Sequence, residues 1–404
     1  MTRKKSTKNV VRRAGVDGGN GETKMYFEGV EEGLAIPTAE LIVINANSKS
    51  KGNFLATEVI TPKNIHEHLD ITFLSSKALS KTNERYLIGK RTLKAMGAKP
   101  KETPKHAQKH TSEIVARTVL AGLLVDAVIN NPESKTITAH YDLNLALPLN
   151  QIDEEAFQKH AERFIGTHEM KFHCPNGDEI LVTIVIEFAM TLPEGAIGSY
   201  AVVYNIDGSL KKYEIVEENP DDESEPIKSV VTFEDRELLM GDIGAGSLDC
   251  AVMFGVDFDY ENSEGFELGT KESVNKIRTE WNKLQKQDQI HSLTQFTEIY
   301  SNTEIFNSAK LQNFSTMYLN DDAIVIADSL KSIYEKMPSR ARIVLYGGGA
   351  LLYKNALMPL LEEYSDKIIF APDPKFTTAK GLLIFALTPA FEEIKSIYLE
   401  ALSV

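Results

Sequence analysis

Three features of this sequence predict an α/β fold in two lobes. Apolar, β-branched runs alternate with helical ones along most of the chain, which favours a sheet covered by helices. A strand, a glycine-rich turn holding an aspartate and a second strand occur together twice. At 404 residues the chain exceeds the size at which one hydrophobic core stops growing. Hydrophobic residues make up 42% and charged residues 25%, the balance of a globular protein rather than a disordered or fibrous one.

The first device runs from Val10 to Tyr26: "VVRRAGVD" enters, "GGNGE" turns and "TKMYF" leaves, a hairpin with a wide tip. Residues 38–109 mix polarity and short β-like runs, which predicts an irregular subdomain. "TSEIVARTVLAGLLVDAVINN", residues 111–131, opens on a Ser/Thr cap and carries apolar residues at helical spacing, so a buried helix is expected. "ITAHYDLNLALPL" reads as a core strand ending at Pro148, "IDEEAFQKHAERFI" as an amphipathic helix and "EILVTIVIEFAM" as a strand. Between Asn205 and Asp235 a hairpin followed by an acidic loop is expected. Its six acidic residues from Glu217 to Glu225 lack calcium-loop spacing and read as solvated. "LLMGDIGAGSLDCAVMFG" then repeats the opening device. Helices dominate from Lys271 to Lys336, "ARIVLYGGGALLYKNAL" is a strand running through three glycines into a helix, and "TTAKGLLIFAL" and "FEEIKSIYLEAL" are two further helices.

A net charge of −14 opposes direct, tight DNA binding by the body of the protein, because phosphate recognition needs a basic surface. The segment "MTRKKSTKNVVRR" is the basic exception and reads as solvated. Two cysteines, Cys174 and Cys250, suit a reducing compartment, and neither a signal peptide nor a membrane span is expected, so the cytoplasm is the expected location. His66 and His68, or His168, His173 and Cys174, form no complete zinc-ligand pattern and read as solvated or packed side chains.

A nucleoside triphosphate needs backbone amides around its oxygens, a cationic partner, and carboxylates that hold magnesium through water. The first hairpin offers Gly18, Gly19, Asn20 and Gly21 for close backbone approach, Lys24 as a point charge, and Asp17 at the strand end. In the second, "GDIGAGSLD", Asp242 holds the strand end, Gly244, Ala245 and Gly246 form the turn, and Ser247 adds a hydroxyl. One such turn is ordinary. Two, one per lobe, predict a clamp on the β- and γ-phosphates, with Asp17 and Asp242 sharing a magnesium site. Gly347, Gly348 and Gly349 set a helix amino terminus at the end of an apolar strand, where backbone amides meet a nucleotide.

With these motifs in hand, the sequence resembles the actin, heat-shock chaperone and sugar-kinase ATPase superfamily, and within it the bacterial and plasmid actin-like branch typified by ParM. "DGGNGETK" is similar to the first phosphate loop and "DIGAGSLD" to the second, with Ala245 where glycine is common. "LYGGGA" is similar to the adenosine motif and "AKGLLIFA" to a connecting helix, and the four stand in the family's order. The resemblance implies two ribonuclease H-like domains around a nucleotide cleft: residues 1–192 with 378–404 returning to them, and residues 193–377. It also implies that Glu194, in "TLPEGAIGSY", orients the attacking water. That placement makes physical sense for a carboxylate at a strand-to-helix junction, although a glutamate there also caps a helix. Lys271 and Glu272 fall where the family contacts adenosine; a solvated helix start is the plainer reading of the residues themselves.

The resemblance further implies ATP or GTP with Mg2+ as cofactors, and hydrolysis coupled to a head-to-tail filament of the protein with itself. A small DNA-binding adaptor would join that filament to a plasmid, so the expected function is plasmid segregation. A filament with another cellular role, or a nonpolymerising small-molecule kinase, shares the fold. No recognisable base for a sugar hydroxyl is present, and the sequence ends shortly after its connecting helix rather than continuing into a chaperone's peptide-binding domain.

Overall fold

The computed structural model describes residues 10–43, 60–94, 100–103, 108–217 and 227–402. Ten strands form the first sheet: β1 (Val11–Gly18), β2 (Glu22–Phe27), β3 (Leu34–Pro37), β4 (Ala39–Ile42), β5 (Asp70–Ser75), β6 (Glu84–Ile88), β7 (Lys101–Glu102), β8 (Thr136–Leu147), β9 (Gly166–His173) and β10 (Glu179–Pro193). Their spatial order is β3-β2-β1-β8-β10-β9-β5-β6-β4-β7. β1, β8 and β10 run parallel at its centre, and the end of β8 is buried without a break from Tyr141 to Leu147. Burial on both alternating faces, Asp142 and Asn144 included, marks a strand covered on both sides.

Helix α1 (Glu113–Ile129) is apolar almost all round and is buried from Ile114 to Val128, its first turn closed by Ser112 Oγ, which accepts from the Val115 amide. α2 (Glu154–Phe164) is amphipathic and buries only Ala156, His160, Ala161 and Phe164. α3 (Glu194–Val203) begins at the residue after β10 ends.

β11 (Tyr213–Glu217) and β12 (Ile227–Val231) make a separate ribbon, anchored by Tyr213 stacked on Phe233 at 4.5 Å. The second large sheet has β13 (Glu237–Ile243), β14 (Leu248–Phe254), β15 (Asp257–Phe266), β16 (Arg342–Tyr346) and β17 (Ile368–Phe370), ordered β15-β14-β13-β16-β17. A second core collects its apolar side chains with those of α4 (Thr270–Leu284), α5 (Leu293–Ser301), α6 (Ser308–Tyr334) and α7 (Gly348–Leu360), around Trp281, Phe296, Leu330 and Tyr353.

α8 (Thr377–Ala386) lies between the two sheets, and α9 (Pro389–Leu402) follows it. α8 sits against β1 and α3 at distances that only glycine permits. A Cβ on Gly15 would stand 2.2 Å from the Ala379 carbonyl oxygen, and one on Gly381 would stand 2.1 Å from that of Ile197.

One expectation needs correction. The described residues of segment 38–109 are not an irregular unit: β4 to β7 extend the first sheet through the β5–β9 pairing, because "ELI", "DITFLS" and "YLI" find partner strands away from their own segment. The expected hairpin ahead of the acidic stretch is a tight one, with Tyr204 bridged to Leu210 and the Asn205 amide donating to the Ser209 carbonyl at 2.8 Å. A second hairpin, β11 with β12, then spans residues 218–226, which lie outside the described residues. Among the described residues no helix is long and apolar enough to cross a membrane.

Gly381→Ala tests the seating of α8. Helix propensity alone makes this change favourable by about 1 kcal/mol. The clash with Ile197 reverses the sign, and a net loss of about 2 kcal/mol is expected in urea unfolding. A stabilised variant would show that α8 does not rest on α3.

Candidate functional site: a charged cleft between two hairpin tips

The antiparallel register of β1 and β2 sets Lys24 opposite Asp17, and the Lys24 Nζ donates to Asp17 Oδ2 at 2.8 Å. β13 and β14 repeat this geometry with Asp242 opposite Asp249. Asp242 also neighbours Tyr346 on β16, and its Oδ2 accepts from Thr378 Oγ1 at 2.7 Å in the first turn of α8. A helix amino terminus favours the negative charge there. Asp249 accepts from the Leu149 amide at 2.6 Å and from Ser247 Oγ at 2.8 Å.

Glu194 is the first residue of α3. Its oxygens accept from Lys109 Nζ at 2.6 and 2.5 Å, and that ammonium stands 3.7 Å from Asp17 Oδ1. The cap at Pro193 makes no side-chain hydrogen bond, so the Glu194 carboxylate is turned to Lys109. Close packing of α3 makes this possible: Tyr346 OH donates to the Gly195 carbonyl at 2.6 Å, and a Cβ on Gly198 would stand 2.6 Å from the same hydroxyl.

Four carboxylates, of Asp17, Glu194, Asp242 and Asp249, thus face two ammonium groups in a largely buried junction. Burial pushes Asp17 upward, but Lys24 and Lys109 outweigh it and bring the carboxyl down to about 2. Burial raises Asp242 to about 7; Lys24 opposes this, and Asp17 and Asp249 reinforce it. Burial also raises Glu194 well above the usual carboxylate range, against Lys109 and with the help of Asp17, Asp249 and Asp242. Lys109 loses some proton affinity to burial and regains more from Glu194 and Asp17, so it stays protonated.

The two tips meet across the cleft. A Cβ on Gly246 would lie 3.1 Å from Asn20 Nδ2, and one on Gly21 would lie 3.2 Å from the Ala245 methyl. Below them opens a cavity of about 1070 Å³, above the usual range of about 300–1,000 Å³ for small-molecule pockets. Its walls include Gly19, Asn20, Gly21, Lys24, Lys109, Glu194 and Asp242 at the charged end, with Gly244, Ala245, Gly246 and Ser247 beside them. The other end is mostly uncharged, with Val274, Phe296, Tyr300, Leu352 and Asn355, and Glu298 the charged side chain among them.

Asp17, 2% exposed, stands behind that wall. Gly18 packs on Val115 instead of lining the cavity. Of the three glycines at the start of α7, Gly347 caps it with φ +84°, and Gly348 and Gly349 lie on the cavity wall, Gly348 facing open space and Gly349 leaving room for Ile243. Lys271 and Glu272 line a smaller pocket of about 60 Å³, and the Lys271 ammonium donates to the Thr103 carbonyl. Thr270 and Val274 of the same helix reach the large cleft. His168 is buried and bonded to Ser76 Oγ and the Phe164 carbonyl, each at 2.7 Å. Lys109 and Thr378 were not found from the sequence. Charge balance was the one available signal: three buried carboxylates facing a single lysine require another cation.

Asp17 Oδ1 and Asn20 Oδ1 are buried and accept no hydrogen bond, so the junction holds acceptors ready for a cation or a bound molecule. Among the described residues no three His, Cys, Asp or Glu side chains gather as a metal site. One or two carboxylates suit Mg2+, which keeps several waters and takes its remaining oxygens from substrate phosphates.

No family model matches the sequence, and no curated protein matches it. Solved structures do match over nearly the whole length. The actin-like protein Alp7A superposes with a TM-score of 0.67 at 20% identity, covering 97% of this chain and 99% of that one. The chain has the actin-like fold. Bacillus thuringiensis ParM with ATP superposes with a TM-score of 0.61 at 15% identity, over 95% of this chain and 99% of that one. Ta0583, an archaeal actin homolog, gives 0.59 at 16% identity over 93% and 98%. In actin-like terms the cavity is the cleft between the two sheets, with one hairpin tip from each.

The raised carboxyl of Asp242 carries a stability consequence. The folded, nucleotide-free protein holds this proton up to about pH 7, whereas the unfolded chain releases it near 3.8, so stability falls as pH rises through that window. Asp17 acts with the opposite sign and below that window, since its value is lowered from 3.8 to about 2. In Asp242→Asn the fall in melting temperature across the window becomes shallower; an unchanged slope would show that Asp242 is ionised throughout.

Proposed function

We propose that this protein is an ATP hydrolase whose nucleotide state controls a head-to-tail filament, and that the filament segregates plasmid DNA through a small DNA-binding adaptor. One observation carries the reading: two aspartate-bearing hairpin tips close over a cleft whose charged end places a strongly basic carboxylate, Glu194, beside two lysines. Structures of similar fold include ParM with ATP and with AMPPNP.

The lobes are residues 1–192 with 378–404, and residues 193–377. ATP lies with its phosphates between the tips and its base toward Val274 and Leu352; GTP fits the same division of charged and uncharged walls. Lys24 and the tip amides of Gly21 and Gly246 hold the phosphates, while the Gly19 and Gly244 amides close the turns themselves by donating to the Asp17 and Ser247 carbonyls. Asp242 and Asp17 would hold Mg2+ through water, and the ion would neutralise charge on the phosphate oxygens. Glu194 accepts a proton from a water whose oxygen attacks the γ-phosphorus. The bond from that phosphorus to the β,γ-bridging oxygen breaks, and ADP and inorganic phosphate leave.

A nucleotide that touches both tips draws the lobes together, and a heterologous contact between closed molecules propagates as an open filament. The net charge of −14 suits a division of labour in which an adaptor reads DNA in the cytoplasm.

Glu194→Gln is expected to keep nucleotide binding and assembly while phosphate release falls by about 10² or more, the range for loss of a general base. Wild-type turnover in this variant would reduce Glu194 to a structural partner of Lys109. Sedimentation with ATP and Mg2+ tests the filament; the absence of pelletable polymer at any salt concentration would favour a nonpolymerising kinase of the same fold.

A further inference from the structure

Lys109 belongs to none of the sequence motifs, yet it is the hub of the charged junction. Its ammonium donates to both oxygens of Glu194, stands 3.7 Å from Asp17, is 7% exposed and still forms part of the cleft wall. An ammonium has three donors and Glu194 takes two, which leaves one toward Asp17 and the cavity. A carboxylate that binds an ammonium through both oxygens cannot at the same time orient a water and take its proton.

We propose that Lys109 is a positioning residue that exchanges partners: it holds Glu194 while no γ-phosphate is present, and turns to the γ-phosphate oxygens when a triphosphate enters, freeing Glu194 for water. The inference rests on Glu194 being the base. Lysine suits an exchange of this kind, because its charge is compact and its stem flexible, whereas an arginine fork would keep one bidentate partner. Incoming phosphate brings more negative charge to a junction where four carboxylates already face two ammonium groups. Among the described residues, Lys109 is the ammonium that both bonds Glu194 and forms part of the cavity wall, so it is placed to answer that charge. A diphosphate has no oxygen at the γ position, so the ammonium returns to Glu194 after phosphate leaves. The same residue thereby keeps the base idle whenever no γ-phosphate is bound.

The test is calorimetric binding of ADP and of a non-hydrolysable ATP analogue, each with Mg2+. The wild type is expected to prefer the analogue. Lys109→Met removes about tenfold of that preference, as expected for one charge-assisted contact, and changes ADP affinity by less than about threefold. Lys109→Arg keeps the charge but recovers little of the preference, because its fork stays on Glu194. Glu194→Gln, which loosens the hold on the ammonium, tightens the analogue but not ADP. Equal weakening of both nucleotides by Lys109→Met, or no change in analogue affinity in Glu194→Gln, would overturn the exchange and leave a purely structural ion pair. The Glu194→Gln arm does not require Lys109→Met to fold. Wild-type hydrolysis by Glu194→Gln would refute the base assignment instead, a result that the binding measurements do not share.

Discussion

The structure depends on holding four buried carboxylates together at the junction of two sheets. Asp17, Glu194, Asp242 and Asp249 come from four different elements, and each is driven by burial toward its neutral form. Lys24 and Lys109 make the arrangement tolerable, with Thr378, Ser247 and the Leu149 amide supplying neutral donors. Removing one partner from a buried ion pair destabilises by about 3–5 kcal/mol, because the other charge remains in the low-dielectric interior. The junction is therefore compact because no member can leave alone, and its proton affinities are pushed apart, Asp17 down to about 2, Asp242 up to about 7 and Glu194 well above the usual carboxylate range.

Backbone proximity is the second requirement. α3 and α8 approach each other and β1 through Gly15, Gly198 and Gly381, where a methyl group would collide with a carbonyl or with the Tyr346 hydroxyl. Two helices locked in this way move together: Glu194 opens α3 and Thr378 lies in the first turn of α8, so the Lys109-bonded carboxylate and the Asp242 partner sit on adjoining rigid elements. A shift of either tip acts on both. Tip contact through Asn20 and Gly246, and through Gly21 and Ala245, is the remaining link across the cleft. The alanine that departs from the glycine common at this position supplies the methyl that meets Gly21.

Much of the site was legible because its chemistry is local. A glycine turn after an aspartate, with a lysine seven residues on, encodes its geometry in a hairpin register: Asp17 and Lys24 face each other as cross-strand partners. The same holds for Asp242 and Ser247, for the strand into Gly347, and for Glu194 at a strand end. Lys109 was not legible, since nothing about a lysine three residues before a helix cap says that it will reach a carboxylate 85 residues away. The segment 38–109 was misjudged for the same reason, because short strands declare themselves only when a partner edge is present.

By itself the sequence determined the local devices, namely two phosphate-type hairpins, a buried helix after Ser112 and an α/β alternation, because hydrogen-bond register and side-chain periodicity are properties of neighbouring residues. Only the tertiary structure decided which charges share the junction, which glycines face the cleft and which pack behind it, and that Lys271 turns to Thr103 while Thr270 reaches the cavity. Those outcomes depend on burial and long-range approach, which no short window of sequence contains.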